Sequence, residues 1–441
     1  MKFLVGIDDH DSYKLGCTTH FSTILISHLF YDHNIKILEL PYLVRLNPNI
    51  PWKTRGNAAI RLEVEFNGNK KELLELISYY SEKYTKHISL ANQYGRRPGI
   101  AIIEYDNYEK HKGLIHNFYV KAVTDVVPLE YAIIFSKKIK AEIQGNRGII
   151  GSIASIGVYG NYTYELITYR KKDNWFTKRK IDKESIRKVD EAFFPKVFAN
   201  YDYVKRKPLI ISHGYDPILY GIRGIMIEPL FEATNMIGVD EDIDFMMLFK
   251  TNQGTDFHFI RTGDHYYQGV RKLIKIDNIS VLEGGDVVIT GSNGDVLIAF
   301  KETGELNEAT KQLTKGDVII AYGSIKPSVK FGKVIELEKI EIIQLIDIIY
   351  ENPKCPKCNH SMESLGKNKG YRCRKCKYEL NDISKVIKRI DRNISLGIYQ
   401  SRYYRHLTRP IFLEIKNDSE KVEKIYLPLL LNNLKNARIL D

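Results

Sequence analysis

No apolar run in this 441-residue chain approaches the roughly 18 residues that a membrane span needs, so none is expected. The opening MKFLVGIDDHD reaches acidic residues at Asp8, without the apolar core or small-residue cleavage site of a secretory signal. There is no internal repeat and no low-complexity linker. Neither a Walker A pattern nor a clean Rossmann fingerprint occurs, which excludes those two glycine-loop nucleotide sites. Cysteine is scarce, with five residues in all. What the chain does have is 44% hydrophobic and 11% aromatic residues, enough for packed cores and against wholesale disorder. At roughly 100–200 residues per domain, the length predicts about three or four domains. The expectation is a soluble, cytoplasmic, multidomain protein with no membrane partner.

Charge is unevenly spread. Lys and Arg number 66 against 54 Asp and Glu, a net of +12. From Pro353 to Pro410 there are fifteen basic and four acidic residues, a net of +11 in 58 residues, so the remaining 383 residues carry about one net charge. Concentration in one module predicts a nucleic-acid partner. A solvated basic face is the alternative.

Four of the five cysteines fall in that module as Cys355-Pro-Lys-Cys358 and Cys373-Arg-Lys-Cys376. Each C-x-x-C turn aims two thiolates at one ion, and two such turns complete a tetrahedral zinc site. Lys354, Lys357, Arg374 and Lys375 favour the thiolates further. Two disulfides are the competing reading, disfavoured in a reducing cytosol. With all four positions filled, the zinc is structural rather than catalytic. Cys17 is left as an ordinary buried thiol.

Along the chain, Lys2–Ile7 reads as a strand, and Thr18 or Thr19 caps a helix running to Tyr31. Ile35–Glu39, Arg61–Phe66 and Ile100–Tyr105 read as strands, with Lys70–His87 and Leu129–Lys140 as helices. The β-α-β-α succession from about 60 to 140 fits a ferredoxin-like unit. Tyr162–Tyr169 reads as a strand and Lys183–Ala199 as a helix. From about Lys272 to Ile343, roughly five strands separated by Gly, Asn and Asp turns fit a small oligonucleotide-binding (OB) barrel. Beyond Asn381, Tyr399, Tyr403 and Tyr404 stand among Arg402, Arg405 and Arg409, a pattern suited to base stacking or to ordinary packing.

The chemistry concentrates at the N-terminus. Asp8, Asp9 and Asp11 end the first strand, and three carboxylates so close repel one another unless a cation bridges them. Mg²⁺ carrying nucleotide phosphates resolves that repulsion; a solvated acidic turn is the alternative. Gly16-Cys17-Thr18-Thr19 leads into a helix whose first amides favour an anion, and Thr18 is a candidate phosphoryl acceptor, a role compatible with capping the helix. Lys53 and Arg55 beside Gly56, and Gly145, Arg147 and Gly148 in a second glycine-punctuated loop, are candidate phosphate ligands.

These segments together resemble the archaeal tRNA(Ile) agmatidine synthetase family, TiaS. The resemblance is carried by Gly6-Ile7-Asp8-Asp9-His10-Asp11-Ser12 with Gly16-Cys17-Thr18-Thr19, and by the long segment from Arg45 through Asn47-Pro48-Asn49-Ile50-Pro51-Trp52-Lys53-Thr54-Arg55-Gly56-Asn57 to Ala59. Gly148–Arg170, Asp216–Gly224, Thr251–Asp256 and the zinc ribbon extend it over nearly the whole chain. It implies a multidomain α+β protein with a kinase-like α/β catalytic domain, a ferredoxin-like domain, an OB barrel and a C-terminal zinc ribbon. Joined to the element reading, this gives 1–60 with 141–205 as the kinase-like domain and 61–140 with 206–265 as the ferredoxin-like domain and an associated segment. The barrel follows at 270–345, the ribbon at 350–382 and a basic tail at 383–441.

The resemblance also implies an ATP-dependent ligase that joins agmatine to C2 of the wobble cytidine of CAU-anticodon tRNA(Ile), so that the tRNA reads AUA. Asp8, Asp9 and Asp11 would hold Mg²⁺–ATP, and Thr18 matches the family's phosphorylated threonine. His10 departs from the family's usual threonine, which bears on local geometry rather than reaction type. Glu165, Asp216 and Asp256 are candidate carboxylates for the agmatine guanidinium. Two rivals compete. A Lys-nucleophile nucleotidyltransferase would use Lys53, although Arg55 replaces the aspartate of K-x-D-G. A non-catalytic OB and zinc-ribbon RNA-binding protein leaves the acidic cluster without a role.

Overall fold

The computed structural model describes residues 1–440 except 54, 55, 213, 368, 382–384, 404 and 417. The chain divides into two compact units, 1–270 with 404–441 and 271–403. Among the described residues no helix is long and apolar enough to cross a membrane.

The first unit is built on a ten-stranded sheet. Its elements in order are β1 (Lys2–Asp8), α1 (Thr18–Tyr31), β2 (Lys36–Ile37), β3 (Tyr42–Arg45), β4 (Ala58–Glu65), α2 (Lys70–His87) and β5 (Gly99–Glu104). There follow α3 (Tyr105–Thr124), α4 (Leu129–Ile139), β6 (Glu142–Gly145), α5 (Ile149–Ile156), β7 (Thr163–Arg170) and α6 (Lys183–Phe193). Next come β8 (Val197–Phe198), the small hairpin β9 (Tyr201–Asp202) and β10 (Lys207–Pro208), β11 (Ile218–Gly224), α7 (Ile227–Met236) and β12 (Ile243–Thr251). The strand order is β6-β5-β1-β4-β3-β12-β7-β11-β8, with β2 paired to β4. Among the described residues of this sheet only β3 and β12 pair in parallel; the other neighbours are antiparallel.

β1 runs between β4 and β5 and is buried on both faces, which is why its sequence is apolar without alternation. Phe3, Val5 and Ile7 join the core beneath α1 and α2, while Leu4 faces the core of α3, α4 and α5. Gly6 lies on the latter face, where a Cβ would come within 1.9 Å of the Ser152 carbonyl oxygen. That contact lets α5 press against β1 and bring its first turn to Asp8. Asn69 and Glu72 close α2 with a reciprocal capping box. The C-terminal helix Glu420–Asn432 returns to the first core through Leu427, Leu430 and Leu431.

In the second unit, β13 (Gly269–Val281), β14 (Val287–Gly291), β15 (Val296–Ala299), β16 (Val318–Ser328) and β17 (Gly332–Gln344) form a sheet closed by the parallel β15–β17 pair. This is the expected five-stranded barrel. A short helix, α8 (Glu305–Lys311), lies between β15 and β16 in the chain. β18 (Ile348–Glu351), the ribbon strands β19 (Glu363–Ser364), β20 (Tyr371–Arg372) and β21 (Glu379–Leu380), β22 (Val386–Arg389) and β23 (Gly397–Gln400) complete the unit. Tyr399 hydrogen-bonds to Ser395, and Arg402 lies over the Tyr403 ring; Tyr404 lies outside the described residues.

Several expectations change. The Ile35–Glu39 strand shrinks to Lys36–Ile37. The helix expected over Lys183–Ala199 stops at Phe193, because Pro195 disfavours a helical backbone at the residue before it. The 20-residue α3 was not anticipated at all. Neither threonine caps α1: Cys17 is the N-cap residue and makes no side-chain cap bond, while Thr18 is the first helical residue. Cys17 is half-buried rather than buried, because its position at that helix start borders a cavity.

Candidate active site

That cavity, of about 990 Å³, opens within the first unit over the ends of β1 and β3 and along β7 and β11. Asp8, Asp9 and Asp11 line one side with Thr18, and Arg147 and Gly148 approach them from the loop before α5. Lys53, Glu165 and Asp216 line other parts of it. The fold thus gathers around one space residues as far apart in sequence as Asp8 and His406. Gly145 and Asp256 are not in its lining. Gly145, at φ +107°, lets β6 close on β5, and Asp256 Oδ1 accepts from the Arg409 amide at 2.7 Å. Arg55 lies outside the described residues.

The acidic cluster is tightly built. Asp8 Oδ1 accepts from the Asp9 amide at 2.7 Å. Asp9 adopts a left-handed backbone (φ 61°), and its Oδ2 accepts from the Arg97 amide at 2.8 Å. Arg96 and Arg147 stand 3.8 and 3.9 Å from its two oxygens. Gly148 in turn donates its amide to the Arg97 carbonyl, so the loop before α5 and the Arg96–Arg97 turn are joined behind Asp9. Burial, followed by the neighbouring Asp9 charge, raises the Asp8 pKa well above the ordinary carboxylate value. Burial also raises that of Asp9, against the Arg97 amide. Carboxylate oxygens are the donor type that a hard divalent cation takes, although among the described residues only the four cysteines of the second unit converge as a ligand set. Thr18 Oγ1 accepts from the His10 amide at 3.3 Å, so its oxygen turns back toward the aspartate loop.

Another part of the lining is cationic, with Arg45, Lys53 and Arg223. Glu165 is buried, with Arg45 Nη2 3.5 Å and Arg223 Nε 3.6 Å from its oxygens and a Gln253 amide bonded to it. His406 Nδ1 lies 3.0 Å from Arg223 and 2.9 Å from Gln253, and burial with Arg45, Arg223 and Lys53 nearby holds its pKa well below the usual value. Burial, then Arg405 and Arg45, lowers that of Lys53. Asp216 is fully buried and receives Arg179 Nη2 at 2.8 Å, the Ile218 amide at 3.0 Å and the Ser212 hydroxyl. Reading the sequence missed Arg96, Arg179 and His406. Arg45 and Arg223 lie in segments that carry the resemblance, but only the fold brings them to Glu165.

In the second unit the four cysteine sulfurs lie within 4.8 Å of one another, at 3.4 Å for Cys355–Cys376 and Cys358–Cys373 and 3.6 Å for Cys358–Cys376. A tetrahedral zinc with bonds near 2.3 Å holds sulfurs about 3.8 Å apart, so the cage fits the ion. All four are free thiols, which removes the disulfide reading. The Cys376 amide, above all, brings the Cys373 thiol down to about 6.

Three domain models match the chain: the TiaS TCKD domain over residues 4–148, the TiaS FLD domain over 146–258 and the TiaS C-terminal zinc ribbon domain over 352–394. The tRNA 2-agmatinylcytidine synthetase TiaS of Saccharolobus islandicus is 59% identical over 420 residues, 95% of each chain. This chain belongs to the TiaS family. The TiaS of Methanocaldococcus jannaschii is 34% identical over 93% of this chain and 98% of its own. Among solved structures, apo TiaS superposes with a TM-score of 0.76 at 31% identity, over 93% of this chain and 97% of that one. A complex of TiaS with an isoleucine tRNA, AMPCPP and agmatine does so with a TM-score of 0.76 at 28% identity, over 95% and 99%. The TCKD and FLD models meet at 146–148, in the loop before α5 that carries Arg147 and Gly148 to Asp9. One sheet runs through both.

Proposed function

We propose that this chain is an ATP-dependent ligase joining agmatine to C2 of the wobble cytidine of a CAU-anticodon tRNA(Ile). The reading is carried by one cavity that holds an acidic cluster, Thr18, a cationic wall and the Asp216 carboxylate together, in a chain of the TiaS family. A cytosine carbonyl oxygen is a poor leaving group. Transfer of a phosphoryl group from ATP onto O2 turns it into phosphate; the primary amine of agmatine then attacks C2, phosphate departs and the amine loses a proton. Agmatidine pairs with A in place of G.

Role assignments follow from the local charge. Asp8, Asp9 and Asp11 are the groups suited to hold Mg²⁺, which when bound would neutralise nucleotide phosphates. Lys53, Arg147, Arg45 and Arg223 supply fixed positive charge for phosphoryl oxygens. Thr18, facing the aspartate loop, is the hydroxyl we assign to phosphorylation. Glu165, between Arg45 and Arg223, serves to orient those cations. Asp216, paired with Arg179 where Glu165 has two arginines, is the better of the two candidate carboxylates in the lining for a guanidinium. The wobble base leaves the anticodon stack to reach the cavity, and the basic barrel-and-ribbon unit grips flanking RNA. Because the substrate is a tRNA, we infer a cytoplasmic protein.

The rival with Lys53 as nucleophile predicts a lysine–AMP adduct. The test of the reading is ATP turnover by Asp8→Ala, Asp9→Ala and Asp11→Ala: each is expected to lose it with the fold intact. Unchanged turnover in all three contradicts the assignment.

A further inference from the structure

The segment from Asp8 to Thr18, the end of β1 through the first residue of α1, carries the aspartates and the hydroxyl assigned to phosphoryl transfer, yet it is held from outside by one face of α2. Ser81 and Tyr84, one helical turn apart, are both buried. Ser81 Oγ lies 2.7 Å from His10 Nε2. His10 Nδ1 lies 2.9 Å from the Asp8 carbonyl, which only accepts, so Nδ1 carries the proton and Nε2 accepts from the Ser81 hydroxyl. The ring is stacked on Phe21 at 4.2 Å. At the other end of the loop, the Tyr84 hydroxyl accepts from the Cys17 amide at 3.0 Å and donates to the Cys17 carbonyl at 3.2 Å, with His20 Nδ1 at 3.0 Å. Between these grips the His10 amide donates to Thr18 Oγ1. Gly16, at φ +68°, passes so close to the end of α2 that a Cβ would meet Ser89 Cβ at 2.4 Å.

Burying two hydroxyls is costly unless each is bonded, and both of these bond to the loop. Thr85, on the same face, bonds to its own helix instead. Packing α2 against α1 would be served equally by Phe at 84 and Ala at 81. We propose that Ser81 and Tyr84 are positioning residues: through His10 and Cys17 they fix the two ends of the loop, so that the Thr18 hydroxyl and the Asp8–Asp11 carboxylates address one phosphoryl group. This rests on the roles assigned above to Thr18 and the aspartates.

The test uses the full chain with ATP, Mg²⁺, labelled agmatine and CAU-anticodon tRNA(Ile). Tyr84→Phe keeps the ring and removes only the hydroxyl. It lowers kcat for agmatine transfer about tenfold or more, since angstrom-scale misplacement of a reacting group carries such losses. KM for agmatine and tRNA affinity stay unchanged, and label from ATP on Thr18 falls in parallel. Ser81→Ala acts in the same direction, and Ser81→Thr, which keeps the hydroxyl, restores the rate. A lower melting temperature with unchanged kcat overturns the proposal, as does equal loss in Ser81→Thr and Ser81→Ala. If the parent chain turns over ATP but transfers no agmatine, the amine substrate is wrong. The ratio of ATP turnover between Tyr84→Phe and the parent then still decides the positioning role.

Discussion

Gly151 sits in the first turn of α5 and offers a prediction whose sign opposes helix propensity. In a helix interior, Gly→Ala ordinarily stabilises by about 1 kcal/mol. Here a Cβ would stand 1.9 Å from Asp8 Oδ2, 2.6 Å from its Cγ and 2.9 Å from Leu46 Cδ1, about 1.5 Å short of ordinary contact with the oxygen. The Asp8 carboxylate cannot swing away freely, because its other oxygen holds the Asp9 amide. Gly151→Ala therefore displaces the carboxylate or pushes α5 off β1. A shift of this size in a metal-binding or reacting group costs on the order of 100-fold in rate, and overpacking costs about 1–3 kcal/mol. The assay is ATP-dependent transfer of labelled agmatine, with thermal melting alongside. Gly113→Ala is the control: it lies in the exposed face of α3 with nothing within 4 Å of a new Cβ, and is expected to raise stability with activity intact. Full activity together with a raised melting temperature in Gly151→Ala would refute the packing of α5 on Asp8.

Further expectations concern other parts of the molecule. Cys355→Ser or Cys373→Ser should release zinc, read by metal analysis, and weaken tRNA binding while sparing part of the tRNA-independent ATP turnover. Asp216→Asn should raise the KM for agmatine with little change for ATP, whereas Glu165→Gln, which loosens Arg45 and Arg223, should do the reverse; steady-state kinetics in each substrate separates them. His20 is fully buried, and burial lowers its pKa from 6.5 to about 3. Its folded state stays neutral while the unfolded chain takes up a proton, so stability is lost as pH falls below about 6.5. The slope approaches about 1.4 kcal/mol per pH unit. Denaturation of His20→Gln between pH 7 and 5 should show that slope reduced by one proton, and an unchanged slope would contradict it.

The zinc ribbon and the barrel were legible because their signals are local. Cys355-x-x-Cys358 and Cys373-x-x-Cys376 bring all four ligands within one short segment, and the barrel strands alternate between recognisable turns. That Asp8, Asp9, Asp11 and Thr18 share one space follows in the same way, since they stand close together in sequence. The cationic wall was not legible. Arg45 meets Glu165 across 120 positions and His406 meets Gln253 across 153, contacts that no spacing encodes. α3 escaped notice because it opens on Tyr-Asp-Asn and contains Gly113, so its buried stripe of Tyr108, Ile115, Phe118 and Tyr119 is broken in sequence. The α1 cap was misread because a hydroxyl at the first helical position looks the same in sequence as one at the cap; here that hydroxyl is turned to the aspartate loop instead.

The central claim is tested most directly by offering the full chain ATP, Mg²⁺, zinc and labelled agmatine with transcripts of CAU-anticodon isoleucine tRNA, and elongator methionine tRNA, which has the same anticodon, as control. Label on the isoleucine tRNA alone is the predicted result, with recognition reaching beyond the anticodon. An isoleucine tRNA that is bound but carries no label would contradict it.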